Sequence, residues 1–123
     1  MNLNQILAGK PKSDMTFDQK VWTLTARIPR GKVTTYGRIA KALRSQGARA
    51  VGGALNRNPY APRVPCHRVV GSDGRLTGYA GGLSKKKWML AAEGVELKGE
   101  RVDLKLDPAY PLPPRLERIP VPI

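Results

Sequence analysis

Apolar residues recur at helical spacing in the first half of the chain. Between residues 17 and 28 they return every three or four positions, behind Thr16 and Gln19, a pair typical of a capping box. Pro29 and Gly31 follow and favour a turn. The pattern therefore predicts a helix that begins after Thr16 and ends near Ile28.

Two shorter helical patterns come next. One runs from Tyr36 to about Leu43, with Thr35 in the position of a cap, and the other runs from about Gln46 to Asn56. Short helices joined by a tight link are typical of a helix-turn-helix, whose second helix enters a groove of DNA.

Prolines and glycines change the pattern in the middle of the chain. The prolines between residues 59 and 65 are incompatible with a helix, so residues 60–70 are predicted to form an extended, loop-like strand. Residues 71–74 predict a turn, and the glycines between residues 78 and 82 predict a loop.

The last third predicts one more helix, a hairpin and a tail. Ser84 is expected to cap a helix over Lys85 to Glu93, and Gly94 is expected to end it. Residues 95–106 alternate between apolar and charged types, which favours a short strand or hairpin. Six prolines in the last sixteen residues predict an extended, mobile tail.

These elements predict an α+β fold that is mainly α, resembles a winged helix and contains a helix-turn-helix. The expected organisation is an irregular lead-in over 1–15, one folded domain over 16–107 and the tail over 108–123.

The charge balance points to a polyanionic partner. Lys and Arg number 22 against nine acidic residues, which gives a net charge of +13 and a pI near 10.5. Nucleic acid is the usual partner of such a chain, and a generally basic surface without a partner is the alternative. Charge alone supplies affinity without selecting a base or a lesion.

Composition also excludes several classes of protein. A single cysteine excludes an intrachain disulfide, and with a single histidine it cannot build a closed structural zinc site. No apolar run approaches the roughly 18 residues that a membrane-spanning helix needs. The N-terminus lacks the apolar core of a signal peptide, so we expect an intracellular protein. We also expect neither a metal nor a cofactor.

The only cysteine, Cys66, lies between Pro65 and the only histidine, His67. A lone cysteine most often acts as a small buried hydrophobe. Here Pro65 holds the backbone, and His67 and Arg68 supply an imidazole and a cation that can favour a thiolate. Neighbours in an extended segment point to opposite faces, so we expect a water, rather than a direct hydrogen bond, to connect Cys66 with His67.

Six stretches of the chain together resemble the O6-alkylguanine-DNA alkyltransferases, the methylated-DNA–protein-cysteine methyltransferases. They occur in the family's order and cover about residues 17–97. The stretches are Ile28-Pro29-x-Gly31-Lys32-Val33-x-Thr35-Tyr36-Gly37, Ala48-Arg49-Ala50-Val51-Gly52-Gly53-Ala54, Asn58-Pro59, Pro65-Cys66-His67-Arg68-Val69-Val70, Gly78-Tyr79-x-Gly81-Gly82-Leu83 and Glu93-Gly94.

The resemblance implies a catalytic set. Cys66 would attack the alkyl carbon on guanine O6, His67 would act as its base through a water, and Glu93 would orient His67. Tyr36 would turn the target phosphate and hydrogen-bond the flipped guanine. From the residues alone, Glu93 could equally be a solvated helix-end glutamate and Tyr36 a core aromatic.

The same resemblance implies a set of residues that bind DNA. Arg49 would fill the space left by the flipped base, although contact with a phosphate is the commoner role of an arginine. Gly52 and Gly53 would let the recognition helix lie close to DNA in the minor groove. Asn58 would hold the cysteine loop against the helix-turn-helix, where an Asn before Pro is otherwise a turn residue.

The guanine pocket follows from the last motifs. Tyr79 and the glycine-rich loop with Gly81 would form its wall, and the carbonyls of Cys66 and Val69 would accept from the exocyclic amine. Ala80 stands where many members carry a serine, so only its backbone amide could meet the leaving O6. Lys86 on the last helix is also expected to bind substrate or DNA.

The resemblance implies a DNA repair protein that accepts the alkyl group once. The chain differs from many members in length: the N-terminal domain common in the family is expected to be absent, and with it the zinc that some members hold there. The expected partner is double-stranded DNA with O6-alkylguanine, besides other repair proteins. The expected state is a monomer in the cytoplasm or nucleoid, or the nucleus of a eukaryote.

Two alternatives remain at this point. Short alkyltransferase-like proteins flag lesions for other repair proteins without transferring the alkyl group, but they replace the cysteine with tryptophan or alanine, whereas this chain keeps Cys66, His67 and Glu93. A winged-helix transcription factor would fit the charge and the helices and leave Pro65 to Arg68 unexplained.

Overall fold

The computed structural model describes residues 3–44, 47–77, 79, 82–105 and 108–112. Within them the fold is α+β and mainly α, as predicted. The helices are α1 (Leu3–Leu7), α2 (Phe17–Thr25), α3 (Tyr36–Ala42), α4 (Ala48–Asn56) and α5 (Leu83–Ala92), with a short 3₁₀ helix at Cys66–Arg68. The strands are β1 (Thr34–Thr35), β2 (Val69–Val70), β3 (Leu97–Lys98) and β4 (Arg101–Val102). None of the described helices is long and apolar enough to cross a bilayer.

Helix α2 begins as the sequence predicts. The Thr16 side chain accepts from the Gln19 backbone at 3.1 Å, and the Gln19 side chain accepts from the Thr16 backbone at 2.9 Å, which completes a capping box. The helix ends at Thr25, three residues before the predicted end, because residues 26–28 form a turn in which the Ile28 N–H donates to the Thr25 carbonyl.

Helices α2, α3 and α4 pack around one apolar core, and α3 and α4 form the predicted helix-turn-helix pair. Thr35 caps α3 by accepting from the Arg38 N–H at 3.1 Å. The described part of α4 begins at Ala48; Gln46, where the prediction begins, lies outside the described residues. Arg57 then ties the end of α4 to α2 through a bidentate pair with Asp18.

A second apolar core lies under the C-terminal half. Its buried residues are Val33, Val70, Leu76, Leu90, Val95 and Val102. The predicted hairpin is present as β3 and β4, in which Leu97 faces Val102. Strand β2 joins the two cores, because Val69 belongs to the first and Val70 to the second, as successive side chains of a strand point to opposite faces. Its parallel partner is β1, with Thr34 beside Val69.

Two predictions for the ends of elements are wrong. The lead-in was expected to be irregular, yet it contains α1, whose Ile6 is fully buried and which packs on α2. Ser84 does not cap the last helix: α5 begins at Leu83, behind Gly82 at φ +96°, without a side-chain cap. Gly94, at φ +89°, follows the end of α5 as predicted.

The described start of the tail is bound to the domain, against the prediction of mobility. The Tyr110 N–H donates to the Val33 carbonyl at 2.6 Å, and the Thr34 hydroxyl donates to the Tyr110 carbonyl at 3.1 Å. Leu112 packs against the first core. Residues 113–123 lie outside the described part of the chain.

The two N-terminal caps give a direct test of the helix assignments. We expect Thr16→Ala to lower the free energy of unfolding by about 1 kcal/mol, because it removes one half of a capping box. Ser84→Ala should change it by less than about 0.5 kcal/mol, since Ser84 caps nothing. Urea denaturation of both variants measures the difference, and equal losses would contradict the assignment.

Candidate active site

Cys66 lies in a short 3₁₀ helix and not in the extended segment that the sequence predicts. The Arg68 N–H donates to the Pro65 carbonyl at 2.9 Å, and the Val69 N–H donates to the Cys66 carbonyl. The chain becomes extended only at β2, where pairing with β1 begins. The alternation of an extended strand therefore does not separate Cys66 from His67.

His67 is held by one nitrogen and unpartnered at the other. Its side chain is 1% exposed, and Nε2 lies 3.0 Å from Oε2 of Glu93, the residue that ends α5. The other nitrogen, Nδ1, is buried without a hydrogen-bond partner among the described residues. The structure thus brings together Cys66, His67 and Glu93, the three residues expected to form the catalytic set.

Arg68 performs a different task from the one expected for it. Its Nε and Nη2 donate to both oxygens of Glu93 at 2.9 and 2.8 Å, and its Nη1 donates to the Ile28 carbonyl at 2.8 Å. The guanidinium is thus engaged with Glu93 and is not the cation that favours the Cys66 thiolate. Burial raises the pKa of Glu93, but hydrogen bonds from Arg68 and His67 outweigh it and lower the pKa to about 2.

The resting site keeps its proton on sulfur. Burial raises the pKa of the Cys66 thiol, and a hydrogen bond from Asn58 and the charge of Lys86 only partly oppose this. Burial also lowers the pKa of His67. The expected local activation of the thiol is therefore absent at rest: burial favours a neutral thiol at Cys66 and a neutral imidazole at His67.

Asn58 connects the end of α4 with the loop that leads to Cys66. Its Nδ2 donates to the Val64 carbonyl at 2.9 Å, and its Oδ1 accepts from the Tyr60 N–H at 2.9 Å. One side chain thus satisfies a donor and an acceptor of the loop, which fixes the approach to Cys66.

Lys86 lies beneath the site and is fully buried. Its Nζ donates to the carbonyls of Val69 and Thr77 at 2.6 and 2.8 Å and to the Tyr36 hydroxyl at 3.3 Å. Burial lowers the pKa of this ammonium to about 8. The expected contact of Lys86 with DNA is thus not available, because protein acceptors enclose its charged end.

The same contacts change what is expected of Tyr36 and Val69. The Val69 carbonyl, expected to accept from a guanine amine, already accepts from Lys86. The Tyr36 hydroxyl donates to the Thr77 carbonyl at 2.9 Å. Burial raises the pKa of Tyr36, so the phenol keeps its proton at neutral pH.

A cavity of about 210 Å³ opens beside the thiol. It is smaller than the roughly 300 to 1,000 Å³ of most ligand pockets. Tyr79 lines this cavity, and its ring centroid lies 6.5 Å from that of the His67 imidazole. The lining residues are Leu55, Asn58, Ala61, Pro62, Cys66, Tyr79, Lys85 and Met89.

Several of these lining residues were not predicted from the sequence to belong to the site. Lys85 and Met89 are four apart on α5 and therefore share one face of it, a signal that was available. Leu55 resembled an ordinary core position. Of the loop expected to close the pocket, Ala80 and Gly81 lie outside the described residues.

The exposed face of α4 carries the remaining candidates. Arg49 is exposed in its first turn. A methyl group on Gly52 would meet nothing within 4 Å, so the backbone there is open to solvent. On Gly53 the same methyl group would lie 3.4 Å from the Arg57 guanidinium. A contact within the protein, and not only closeness to DNA, therefore favours glycine at this position.

The helix-turn-helix thus accompanies a small cavity lined by Cys66, and the residue after Cys66, His67, is paired with Glu93. Residues 16–95 match the family model described as 6-O-methylguanine DNA methyltransferase, DNA binding domain. The chain belongs to this family.

Individual relatives agree with the family match. The methylated-DNA–protein-cysteine methyltransferase of Methanosarcina acetivorans is 52% identical over 79 residues, which are 63% of this chain and 51% of that protein. The chain spans about half the length of the curated relatives it matches.

Two solved structures are similar. Mycobacterium tuberculosis OGT in complex with DNA gives a TM-score of 0.62 at 42% identity and covers 75% of this chain and 62% of that one. S. pombe Atl1 in complex with damaged DNA containing O6-carboxymethylguanine gives 0.64 at 29% identity and covers 90% of this chain and 100% of that one.

Reaction of the single cysteine with iodoacetamide tests the state of the thiol. Because burial raises the pKa of Cys66 above its ordinary value of 9.0, we expect the alkylation rate to keep rising with pH beyond pH 9. Asn58→Ala should shift the profile to still higher pH, because it removes a hydrogen bond that lowers this pKa. A plateau below pH 8 would contradict the description of the resting site.

Proposed function

We propose that this chain transfers the alkyl group of O6-alkylguanine in DNA to Cys66, irreversibly and once per molecule. The observation that carries the proposal is the buried Nδ1 of His67, the residue next to Cys66 in the chain, which has no hydrogen-bond partner among the described residues while Nε2 is held by Glu93. In the reaction the bond from sulfur to the alkyl carbon forms, the bond from that carbon to O6 breaks, and its electron pair leaves with the guanine. The thioether has no leaving path, so the protein is consumed.

His67 would take the thiol proton through one water molecule. A buried imidazole nitrogen without a partner is rare, and an ordered water is the usual way to satisfy it. The neutral state of His67 supports this role, because an imidazolium could not accept a proton.

Tyr36 would supply a proton to the departing guanine by exchanging its resting hydrogen bond to the Thr77 carbonyl for one to the base. Its hydroxyl is protonated at rest and receives a hydrogen bond from the Lys86 ammonium, which would stabilise negative charge on the phenol oxygen. Lys86 thus supports the leaving group from beneath the pocket instead of contacting DNA.

The helix-turn-helix would present the flipped base to this pocket. A base inside the stack is out of reach of the thiol, so the nucleotide must rotate out of the duplex. Arg49 and the open backbone at Gly52 lie on the exposed side of α4, which suits an arginine inserted from the minor groove. The net charge of +13 supplies attraction to DNA of any sequence, and a DNA substrate implies action in the nucleoid or nucleus.

A lesion sensor without transfer is the second candidate. The match to S. pombe Atl1 favours it, because this match covers all of that chain and the Atl1 structure is a complex with damaged DNA that contains O6-carboxymethylguanine. The joint presence of Cys66, His67 and Glu93 favours the transferase, because binding alone needs neither a nucleophile nor a base.

Intact-mass measurement separates the two candidates. After incubation with O6-methylguanine DNA, we expect one methyl group on the peptide that carries Cys66 and no second addition. Cys66→Ala should take up no methyl group and still bind lesion DNA, because base flipping and base recognition use other residues. An unchanged mass in the wild type under saturating lesion DNA would refute transfer and favour the sensor.

Arg49 distinguishes base replacement from attraction to phosphate. If Arg49 fills the vacated stack, Arg49→Ala should slow transfer on duplex DNA by up to about a hundredfold and on a single strand only slightly, because flipping costs a few kcal/mol. Arg49→Lys keeps the charge and loses the planar group that stacks on bases, so it should behave like Arg49→Ala. Equal defects on matched duplex and single-stranded substrates would show that Arg49 only contacts a phosphate.

A further inference from the structure

The Glu93 carboxylate has two protein partners that compete for it. Its Oε1 accepts from Nε of Arg68, while its Oε2 lies 2.8 Å from Nη2 of Arg68 and 3.0 Å from Nε2 of His67. Arg68 is itself anchored, since its Nη1 donates to the Ile28 carbonyl in the turn after α2. The three side chains are 1 to 16% exposed, so this arrangement is shielded from water.

The hydrogen-bond pattern determines where the His67 proton resides. A carboxylate that receives two guanidinium N–H groups is ionised and can only accept. Nε2 of His67 must therefore carry a hydrogen to face Oε2. In a neutral imidazole the lone pair then lies on Nδ1, the buried atom without a partner.

Burial is the main reason that His67 stays neutral, and the charges around it add to or oppose that effect. Without Arg68, a buried Glu93 anion would face the imidazole alone, and the stable arrangement would be an imidazolium paired with a carboxylate. Of the charged groups around His67, Glu93 favours the imidazolium, while Arg68 and Lys86 oppose it. Tyr79 contributes a ring edge, and Lys86 stays engaged with its own three acceptors.

We propose that Arg68 is a positioning residue for alkyl transfer: its two hydrogen bonds to Glu93 keep the His67 proton on Nε2 and leave Nδ1 as the acceptor for the Cys66 proton. The inference rests on the proposed function, in which His67 is the base. Arg68 touches neither the thiol nor the cavity and acts only through Glu93 and His67.

Nitrogen-15 NMR of the single histidine tests the inference without any substrate. The wild type should show a protonated Nε2 and a bare Nδ1 at pH 7, with a titration midpoint below 6.5. Arg68→Gln, which is neutral, should raise that midpoint by at least about one pH unit, a tenfold gain in proton affinity. Arg68→Lys keeps the charge and should restore most of the shift.

The matched control is Arg57→Gln. Arg57 follows the last residue of α4 and makes the same kind of bidentate pair with Asp18 of α2, so the control removes an equal charge and a bidentate ion pair that does not involve Glu93 or His67. Its His67 midpoint should equal that of the wild type.

Transfer rates from O6-methylguanine DNA then link the proton to the reaction. At pH 7 Arg68→Gln should be about tenfold slower than Arg57→Gln and should recover as pH rises above its new midpoint. An unshifted midpoint, or a shifted midpoint with an unchanged rate profile, would overturn the inference. If Arg68→Gln does not fold, two other results would overturn the role of Arg68. One is a wild-type His67 with its proton on Nδ1, and the other is a His67 titration midpoint in Arg68→Lys equal to that of a free histidine.

The two proposals fail in different ways. A wild type that transfers nothing refutes the proposed function while the NMR titration still reports on Arg68. A wild type that transfers normally, with a His67 insensitive to Arg68, refutes only the role of Arg68.

Discussion

Strand β2 is the constraint on which the site depends. Its two residues face opposite ways, so Val69 is buried in the core of the helix-turn-helix and Val70 in the core under the hairpin. Both are fully buried, and pairing with β1 fixes their register. The Cys66–Arg68 turn directly precedes β2 and has little freedom to move. The loop that carries Cys66 is thereby held by core elements, which is what the proposed attack on one carbon would require.

Burial has opposite effects on the two partners of the proton transfer. It holds the proton on Cys66 and keeps it off His67, so the resting pair is neutral and unreactive. Stray electrophiles in water therefore meet a thiol and not a thiolate. Under the proposed function, in which the cysteine is used only once, this protects it, and reactivity would depend on a bound substrate that excludes bulk water. The surrounding charged groups, Glu93, Arg68 and Lys86, are already hydrogen-bonded and would need little rearrangement.

Features that depend on neighbouring residues could be predicted from the sequence. The Thr16 and Thr35 caps and the β3–β4 hairpin follow from local hydrogen bonding and alternation. Tertiary contacts decided the rest: α1 is too short to be stable alone and depends on burial of Ile6 against α2. The bond from Arg68 to Glu93 joins residues 25 positions apart, and no periodicity signals it. Lys86 was expected to bind substrate or DNA, and no local pattern shows that three acceptors from distant segments bury its charge.

The described start of the tail, residues 108–112, is hydrogen-bonded to the chain at the start of β1. A two-stranded sheet has exposed edges, and unpaired backbone groups along an edge are sites where another chain can add a strand. Here the Tyr110 N–H donates to the Val33 carbonyl, and the Tyr110 carbonyl accepts from the Thr34 hydroxyl, at the start of β1. Pro108 and Pro111 lie close on either side of Tyr110 and have no N–H to donate. The described start of the tail thus covers part of the edge beside β1 where another chain could otherwise add a strand.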